Sequence, residues 1–188
     1  MKEVVEKYLD HLDHIFKVEP NFFKYSEDGE FPPLHLLTYQ DIPESGMITG
    51  FTCGVSLVPP AVKNSMRKEL TISVESRDPS WALAVADIGY QHRGTWKFEP
   101  GDVINHHGKV SDESEMSSFL IWHQGVIRED HEIICLPNWH TIFVGLFPIH
   151  DDERELIAQH GPDWLFELVD DPCDVTRKSV AHKYETLR

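Results

Sequence analysis

The 188-residue sequence predicts an α+β fold, a mostly antiparallel mixed sheet flanked by helices. Three observations support this prediction. A helical period of three to four residues opens the chain, strand-like segments follow in two groups, and a second helical segment separates the groups. Apolar residues make up 40% of the chain, which is enough to bury a substantial core. We expect a single domain over residues 1–174 and a polar, basic tail over residues 175–188.

The first predicted element is an amphipathic helix over residues 1–16, because apolar residues recur there at helical spacing. Those residues are Val4, Val5, Tyr8, Leu9, Leu12, Ile15 and Phe16. Residues 19–33 are rich in proline and glycine and predict a connector. Residues 34–40 and 47–58 are rich in apolar and β-branched residues, and they predict a pair of strands joined by a turn.

A strand and a second helix come next. Residues 69–76 alternate between apolar and polar side chains, which indicates a strand with one buried face. The period then changes at Asp78, which can cap a helix, and Pro79 suits an early helical position. We expect this helix to end near Gly89 or Gly94.

The second half of the chain returns to strand character before it becomes helical again. The sequence predicts a short extended segment at 103–105, strands at 117–123, 131–136 and 140–149, and two short helices within 151–169. Residues 124–130 are predicted to join the strands on either side of them as a hairpin.

The charge of the chain is strongly negative. Thirty-two acidic residues against 17 basic ones give a formal net charge of −15, which disfavours nucleic acid as a partner. Between residues 151 and 174 there is one cation, Arg154, and nine carboxylates: Asp151, Asp152, Glu153, Glu155, Asp163, Glu167, Asp170, Asp171 and Asp174. This segment is either a solvated surface that aids solubility or a surface that steers a basic partner.

The sequence also indicates a compartment. No apolar segment approaches the roughly 20 residues needed to cross a bilayer, and the N-terminal residues carry charges throughout. We therefore expect neither a membrane span nor a secretory signal. Cys53, Cys135 and Cys173 are far apart and odd in number, which suits a reducing environment. The expected location is the cytoplasm.

Few patterns in the sequence point to catalysis. It contains neither Cys-x-x-Cys nor His-Glu-x-x-His, and it lacks the Gly-x-Ser-x-Gly, phosphate-loop and dinucleotide-binding motifs. We expect no enzyme activity and no cofactor. One alternative remains: a metal-binding protein or metal-dependent enzyme that uses His106, His107 and His123 with nearby carboxylates.

The segment Pro-Gly-Asp at 100–102 contains the carboxylate that we select as the main candidate for contact with a partner. Asp102 stands at the entry to the extended segment 103–105. Its side chain either caps the turn through the nearby backbone or receives a cationic or hydrogen-bond donor group from a partner at an edge strand.

Four segments in order carry a resemblance to a known family. They are GMITGFTCGVS, RKELTISVESRDPSWALAVADIGYQ, FEPGDVINHHGKVSDESEMSSFLIWH and TIFVGLFPIHDDERELIAQHGPDWLFELV. They contain a Gly-Φ-Ser segment, a Glu-Leu-Thr strand, a Pro-x-Trp helix and a Gly-Asp loop followed by Ser-Glu. Over residues 33–170 the chain resembles the Suppressor of fused family.

The resemblance implies a fold and a site. The expected fold is that of the N-terminal domain of Suppressor of fused. Animal members bind a peptide of Gli-type transcription factors by strand addition, and a tyrosine and an aspartate twelve residues apart line the cleft. By resemblance, Tyr90 and Asp102 take these two places. Single-domain bacterial members are proposed to be immunity proteins that neutralise toxins, commonly nucleases.

These observations lead to one hypothesis with alternatives. The leading hypothesis is a non-enzymatic, immunity-like module that holds a basic protein through Tyr90, Asp102 and the acidic segment. The acidic contacts would be Asp151, Asp152, Glu153 and Glu155. Two alternatives remain. One is the metal-binding protein described above, and the other is a scaffold that binds a peptide by β-strand addition. The scaffold would use the same site as the leading hypothesis, but its affinity would depend only weakly on salt.

Overall fold

The computed structural model describes residues 2–26, 31–59, 66–136 and 138–186. Its helices are α1 (Lys2–Phe16), α2 (Ser80–His92), α3 (Glu153–His160), α4 (Asp163–Leu168) and α5 (Ala181–Thr186). Its strands are β1 (Asn21–Ser26), β2 (Leu34–Gln40), β3 (Ile48–Cys53), β4 (Arg67–Val74), β5 (Val103–Asn105), β6 (Ser118–His123), β7 (Ile133–Cys135) and β8 (His140–Ile149). Within these residues, no helix is both long enough and apolar enough to cross a membrane.

All eight strands form one sheet in the order β1-β2-β3-β4-β8-β6-β5, and β7 pairs with the first residues of β8. β4 and β8 are parallel, whereas the other paired strands are antiparallel. The predicted α+β fold with a mostly antiparallel mixed sheet is therefore confirmed. β1 and β5 lie at the two edges of the sheet.

The two faces of the sheet are covered differently. Because side chains alternate along a strand, Leu36, Ile72 and Leu146 lie on one face, where they share a core with α2. On the opposite face, α1 covers a cluster that includes Phe143, while α3 and α4 cover a second cluster that includes Phe147. This arrangement places β5 beside α3 at one end of the molecule.

Strand β1 lies inside the segment predicted as a connector. Its aromatic residues Phe22 and Phe23 are both about half exposed, at 47% and 46%. Neighbouring residues of a strand point to opposite faces, and here both are exposed, so β1 lacks the alternation of buried and exposed residues that marks a strand in a sequence. The sequence pattern therefore missed it.

The predicted hairpin across residues 124–130 is wrong. β6 pairs with β5 and β8, and β7 pairs with β8 through the turn that follows it. The side chain of Gln124 holds this connection in place: its Oε1 accepts hydrogen bonds from the backbone N–H groups of Val126 and Ile127. The chain therefore turns away from β6 directly after that strand ends.

The segment expected to form a tail packs against the domain over residues 175–180. Val175 and Val180 are buried, at 1% and 4% exposure. Between them, Arg177 forms an ion pair of 2.6 Å with the buried carboxylate of Glu153. Spacing alone could not reveal this, because the two valines contact elements distant in sequence.

Candidate functional site

An open groove of about 470 Å³ lies between α3 and the turn that leads into β5. Trp96, Val103 and Ile157 supply apolar walls. The polar side chains that line it are Asp102, Asp151, Arg154 and Glu155. This β5–α3 groove therefore brings together three of the six residues predicted to contact a partner.

Asp102 holds the turn at one end of the groove. Its Oδ2 accepts hydrogen bonds from Trp96 Nε1 at 2.8 Å and from the backbone N–H of Glu99 at 2.9 Å. Among the described residues, its Oδ1 accepts no hydrogen bond. One oxygen of Asp102 thus fixes the turn, as one of the two expectations has it, and the contact of Asp102 with a partner stays a prediction.

Asp151 and Glu155 lie at the other wall of the groove. Asp151 comes just before α3, and Glu155 lies in its first turn. Asp151 Oδ1 pairs with Arg154 at 2.8 Å and lies 3.5 Å from both Asn105 Nδ2 and Ser118 Oγ. Glu155 is exposed. Three carboxylates against one guanidinium leave the groove with a negative charge.

Asp152 and Glu153 point away from this groove. Asp152 is exposed and accepts a hydrogen bond of 2.8 Å from Ser179 Oγ. Glu153 is completely buried. The prediction that Glu153 contacts a partner is therefore wrong, because a completely buried side chain cannot reach one.

The environment of Glu153 explains why a carboxylate occurs in the core. It pairs with Arg177 and accepts hydrogen bonds of 2.9 Å from the backbone N–H groups of His150 and Val180. Burial raises the pKa of Glu153. This effect is outweighed by the hydrogen bonds and the charge of Arg177, together with the two backbone donors, so the pKa lies below its ordinary value. Glu153 is thus an ionised anchor for the C-terminal segment.

Tyr90 lies on the exposed face of α2 and does not line the groove. It is 38% exposed, and its ring lies 6.1 Å from that of Tyr25. The guanidinium of Arg93 lies 5.0 Å from the ring centre. Tyr90 therefore belongs to a separate aromatic surface.

In the part of the chain that the structure describes, β5 pairs with a strand on one side only. On that side, the carbonyl oxygen of Asp102 accepts a hydrogen bond from the Ile121 N–H, and the His106 N–H donates to the carbonyl oxygen of Ser117. Because the direction of backbone groups alternates along an antiparallel strand, those of Val103 and Asn105 face outward. A partner strand could pair there, directly beside the acidic groove.

The three histidines of the metal alternative are not gathered into one site. His106 Nε2 lies 4.0 Å from Asp87 Oδ2, His107 is exposed with φ 60°, and His123 is exposed at the end of β6. Among the described residues, no group of three or more His, Cys, Asp or Glu side chains is placed to hold a metal ion. The geometry thus gives the metal alternative no support.

Comparison with known proteins agrees with this fold. The sequence profile of the family described as Suppressor of fused protein (SUFU) matches residues 30–178. The chain belongs to the Suppressor of fused protein family. A curated relative, Immunity protein YqcF of Bacillus subtilis (strain 168), is 23% identical over 174 residues, which is 88% of this chain and 91% of the relative.

Solved structures share the Suppressor of fused fold at low sequence identity. A putative homologue from Neisseria gonorrhoeae FA 1090 aligns with a TM-score of 0.75 at 19% identity, over 95% of this chain and 97% of that one. A chain of the Sufu-Fu complex aligns with 0.72 at 15% identity, over 97% and 94%. Drosophila Suppressor of Fused gives 0.65 at 16% identity, and this chain spans 53% of its length.

The motifs that carried the resemblance fix the fold rather than a surface. The carboxylate of Glu69, in the Glu-Leu-Thr strand, accepts hydrogen bonds from the backbone N–H groups of Gly54, Val55 and Ser56, the Gly-Φ-Ser segment. Trp81 of the Pro-x-Trp helix donates to Glu113 at 2.9 Å. Each of these buried polar groups therefore has a hydrogen-bond partner inside the protein.

Sequence reasoning missed part of the groove. Arg154 stood out only as the one cation of the acidic segment, and Ile157 was not selected at all. Their helical spacing from Asp151 places all three near one side of α3, which is a signal available in the sequence. The proximity of α3 to β5 is tertiary and left no such signal.

Proposed function

We propose that this protein is a non-enzymatic, immunity-type module that binds and neutralises a basic, toxin-like protein through the β5–α3 groove. The proposal rests on one observation above all: an acidic groove with apolar walls lies beside the open backbone edge of β5. A segment of the partner would place Lys or Arg side chains near Asp102, Asp151 and Glu155.

The electrostatics favour such a partner. The net charge of −15 attracts a basic protein at long range, and the groove supplies local carboxylates for its cations. A toxin that acts on nucleic acid needs a basic surface to hold phosphates, so an acidic protein of this kind could cover that surface.

The comparisons support the same class of function. The curated relative carries the name Immunity protein, and one structural neighbour was solved in the Sufu-Fu complex. Both point to protein partners for proteins of this fold. The basic character of the partner is our proposal from the charge of this chain.

The test is affinity capture from the source cell, with the protein and two variants as baits at about 0.05 M and about 0.5 M salt. The groove variant carries Asp102→Asn, Asp151→Asn and Glu155→Gln. The control variant carries Asp10→Asn, Glu19→Gln and Glu129→Gln, three exposed carboxylates outside the groove.

We expect one basic protein to be captured by the wild type and by the control, but not by the groove variant, and to be lost at the higher salt concentration. The purified wild type should then inhibit the toxicity of that protein when the two are co-expressed. Equal capture by the two variants would overturn the assignment of the groove, and a captured protein without toxicity would overturn the immunity function.

A second candidate is a peptide-binding scaffold that acts mainly by strand addition, and the outward backbone groups of Val103 and Asn105 favour it. In that case the affinity would change little between the two salt concentrations. Replacing Asn105 with proline would abolish binding, because proline lacks the N–H that would pair with the added strand.

A further inference from the structure

Among the described residues, no helix covers the middle of the sheet face opposite α2, between α1 on one side and α3 with α4 on the other. On β8, Phe143 packs in the cluster beneath α1, and Phe147 packs against the cluster beneath α3 and α4. Gly145 lies between them, and the space directly above it is filled by Phe147 and Gln124, which a Cβ there would meet at 3.0 and 3.1 Å. Beside it, next to Thr71 and Ser73 of β4, lies a cavity of about 100 Å³ that is open to the surface.

The walls of this Gly145 cavity suit an apolar ligand. Met47, Val126 and Phe147 contribute apolar surface. The nearby hydroxyl groups are already engaged: Thr71 Oγ1 donates to the carbonyl oxygen of Gly50 at 2.9 Å, and Ser73 Oγ shares a hydrogen bond of 2.8 Å with Thr49.

Gln124, which also lines the cavity, is fully engaged as well. Its amide nitrogen donates to Ile127 and Glu132, and its oxygen accepts from two backbone N–H groups. A ligand in the cavity would thus gain apolar contact without leaving any of these wall groups unpaired.

The volume fits a single side chain. An apolar cavity of roughly 150 Å³ can hold a benzene molecule. The smaller Gly145 cavity matches the branched end of one leucine. Since it opens to the surface, such a side chain could enter from a partner.

The rim of the cavity is acidic. Cys173 lines the cavity, and its neighbours bring carboxylates: its carbonyl oxygen accepts from the Glu75 N–H at 2.9 Å, and its N–H donates to Asp171 Oδ1 at 2.7 Å. Asp174 follows Cys173, and Glu44 follows Pro43, which also lines the cavity. The negative charge of Asp171, with smaller contributions from burial, Asp174 and Glu44, raises the pKa of Glu75.

From these observations we infer that the Gly145 cavity is a second docking site, separate from the β5–α3 groove. It takes one leucine-like side chain of a protein segment that carries Lys or Arg on either side. The apolar side chain would fill the cavity, and the flanking cations would relieve the repulsion among the rim carboxylates.

The probe is the blocked pentapeptide Lys-Lys-Leu-Lys-Lys, titrated into protein with labelled methyl groups and followed by NMR. We expect saturable shifts at Met47 and Val126. The peptide Lys-Lys-Ala-Lys-Lys should bind at least about tenfold more weakly because it buries less apolar area, and Glu-Glu-Leu-Glu-Glu should not bind.

Two variants test the site itself. Val126→Phe should fill the cavity and weaken binding at least about tenfold. The double variant Glu75→Gln, Asp171→Asn should weaken it a few-fold at low salt and remove most of its salt dependence. Glu75 and Asp171 are exposed, so the double variant should fold normally. It therefore still tests the site if Val126→Phe disturbs the packing of the protein.

The matched control is Asp10→Asn with Glu19→Gln, two exposed carboxylates outside both sites, which should leave the shifts at Met47 and Val126 unchanged. Because these shifts are measured at the cavity itself, they test the second site separately from the proposed function of the β5–α3 groove. Absent shifts at Met47 and Val126, or equal binding of the leucine and alanine peptides, would overturn the inference.

Discussion

At the scale of single residues, buried carboxylates in this protein organise the backbone. Glu69 is fully buried, and its two oxygens accept four hydrogen bonds, from Thr52 Oγ1 and from the N–H groups of residues 54–56. Burial raises the pKa of Glu69, and these donors offset part of that rise. The carboxylate thus supplies the acceptors for three consecutive backbone N–H groups directly after the end of β3.

Replacing Glu69 with glutamine should therefore be costly. The amide nitrogen would face donors and leave at least one of them unpaired, so we expect the free energy of unfolding to fall by about 3 kcal/mol. Urea denaturation measures this change. Glu129→Gln at an exposed carboxylate should change it by less than about 0.5 kcal/mol. A small loss for Glu69→Gln would contradict the described hydrogen bonds.

The two roles of Asp102 can be separated by substitution. Asp102→Asn keeps one oxygen that can accept from Trp96 and Glu99, so its stability should stay within about 0.5 kcal/mol of the wild type. Asp102→Ala leaves both donors without this acceptor and should lose about 1–2 kcal/mol. Thermal unfolding distinguishes the two, and equal losses would argue against the turn role.

At the scale of elements, the C-terminal segment is attached to the start of α3 through a buried ion pair. Arg177 contributes two hydrogen bonds to Glu153, at 2.6 Å and 2.9 Å, and is itself little exposed. A buried pair of this kind contributes little beyond an apolar pair of equal size, yet breaking it leaves a charge in the core.

We expect Arg177→Met to lower the free energy of unfolding by about 3–5 kcal/mol, because Glu153 would remain buried and unpaired. Adding Glu153→Leu to that variant should restore much of the loss. Both changes are measured by denaturant unfolding with a probe on α5. A single variant as stable as the double variant would show that the pair does not hold the segment.

The same pair predicts a dependence on acid. The folded-state pKa of Glu153 lies below the ordinary value of 4.5, so its stabilisation is complete above that value and is lost as the pH falls through the folded-state pKa. The double variant should lack this component of acid unfolding. Identical acid profiles for the two proteins would contradict it.

Helix α1 should respond to pH in the range of histidine. His11 Nε2 lies 2.8 Å from the carbonyl oxygen of His131. Burial above all, with His131 and His14 nearby, lowers the pKa of His11 below its ordinary value of 6.5. In a helix α1 that has left the sheet, His11 would bind a proton more readily than it does in the folded protein. The packing of α1 against the sheet therefore weakens as the pH falls below 6.5.

Amide hydrogen exchange in α1, compared at about pH 7.5 and about pH 5.5 after correction for intrinsic rates, measures this effect. We expect faster exchange at the lower pH in the wild type and a smaller difference in His11→Gln. His107→Gln, in an exposed loop, serves as the control and should behave as the wild type. If the exchange rates of His11→Gln depend on pH as strongly as those of the wild type, the pH effect comes from groups other than His11.

At the scale of the whole molecule, the spacing between α2 and the sheet depends on small residues. A side chain added at Gly50 would place its Cβ 2.7 Å from Ala82 Cβ and 3.3 Å from Ala82 Cα. The helix and β3 can therefore approach closely only because both positions are small. The core that includes Trp81 and Val85 is built at this spacing.

Gly50→Ala should consequently destabilise the protein by about 1–3 kcal/mol, because α2 must shift away from the sheet. Thermal unfolding measures this, and the spectrum of Trp81 reports the shift. Gly108→Ala is the control, since nothing lies within 4 Å of the added Cβ. Equal stability of both variants would show that the layers are loosely packed.

The sequence by itself determined the fold class and most of the elements. Strands over 34–40 and 140–149 and a helix after Pro79 follow from period and capping, which are local properties of the chain. The net charge of −15 and the order of the family motifs likewise needed no structure. Asp102 could be selected from its Pro-Gly-Asp turn.

Only the tertiary structure decided how these parts serve a site. Glu153 and Glu155 are two residues apart in one acidic segment, yet one is buried against Arg177 and the other lines the groove, because the two side chains lie on different sides of α3. Tyr90 and Asp102 keep the family spacing but lie on separate surfaces. The Gly145 cavity depends on where two helical layers end, and no local pattern records the distance between elements that meet only in the folded chain.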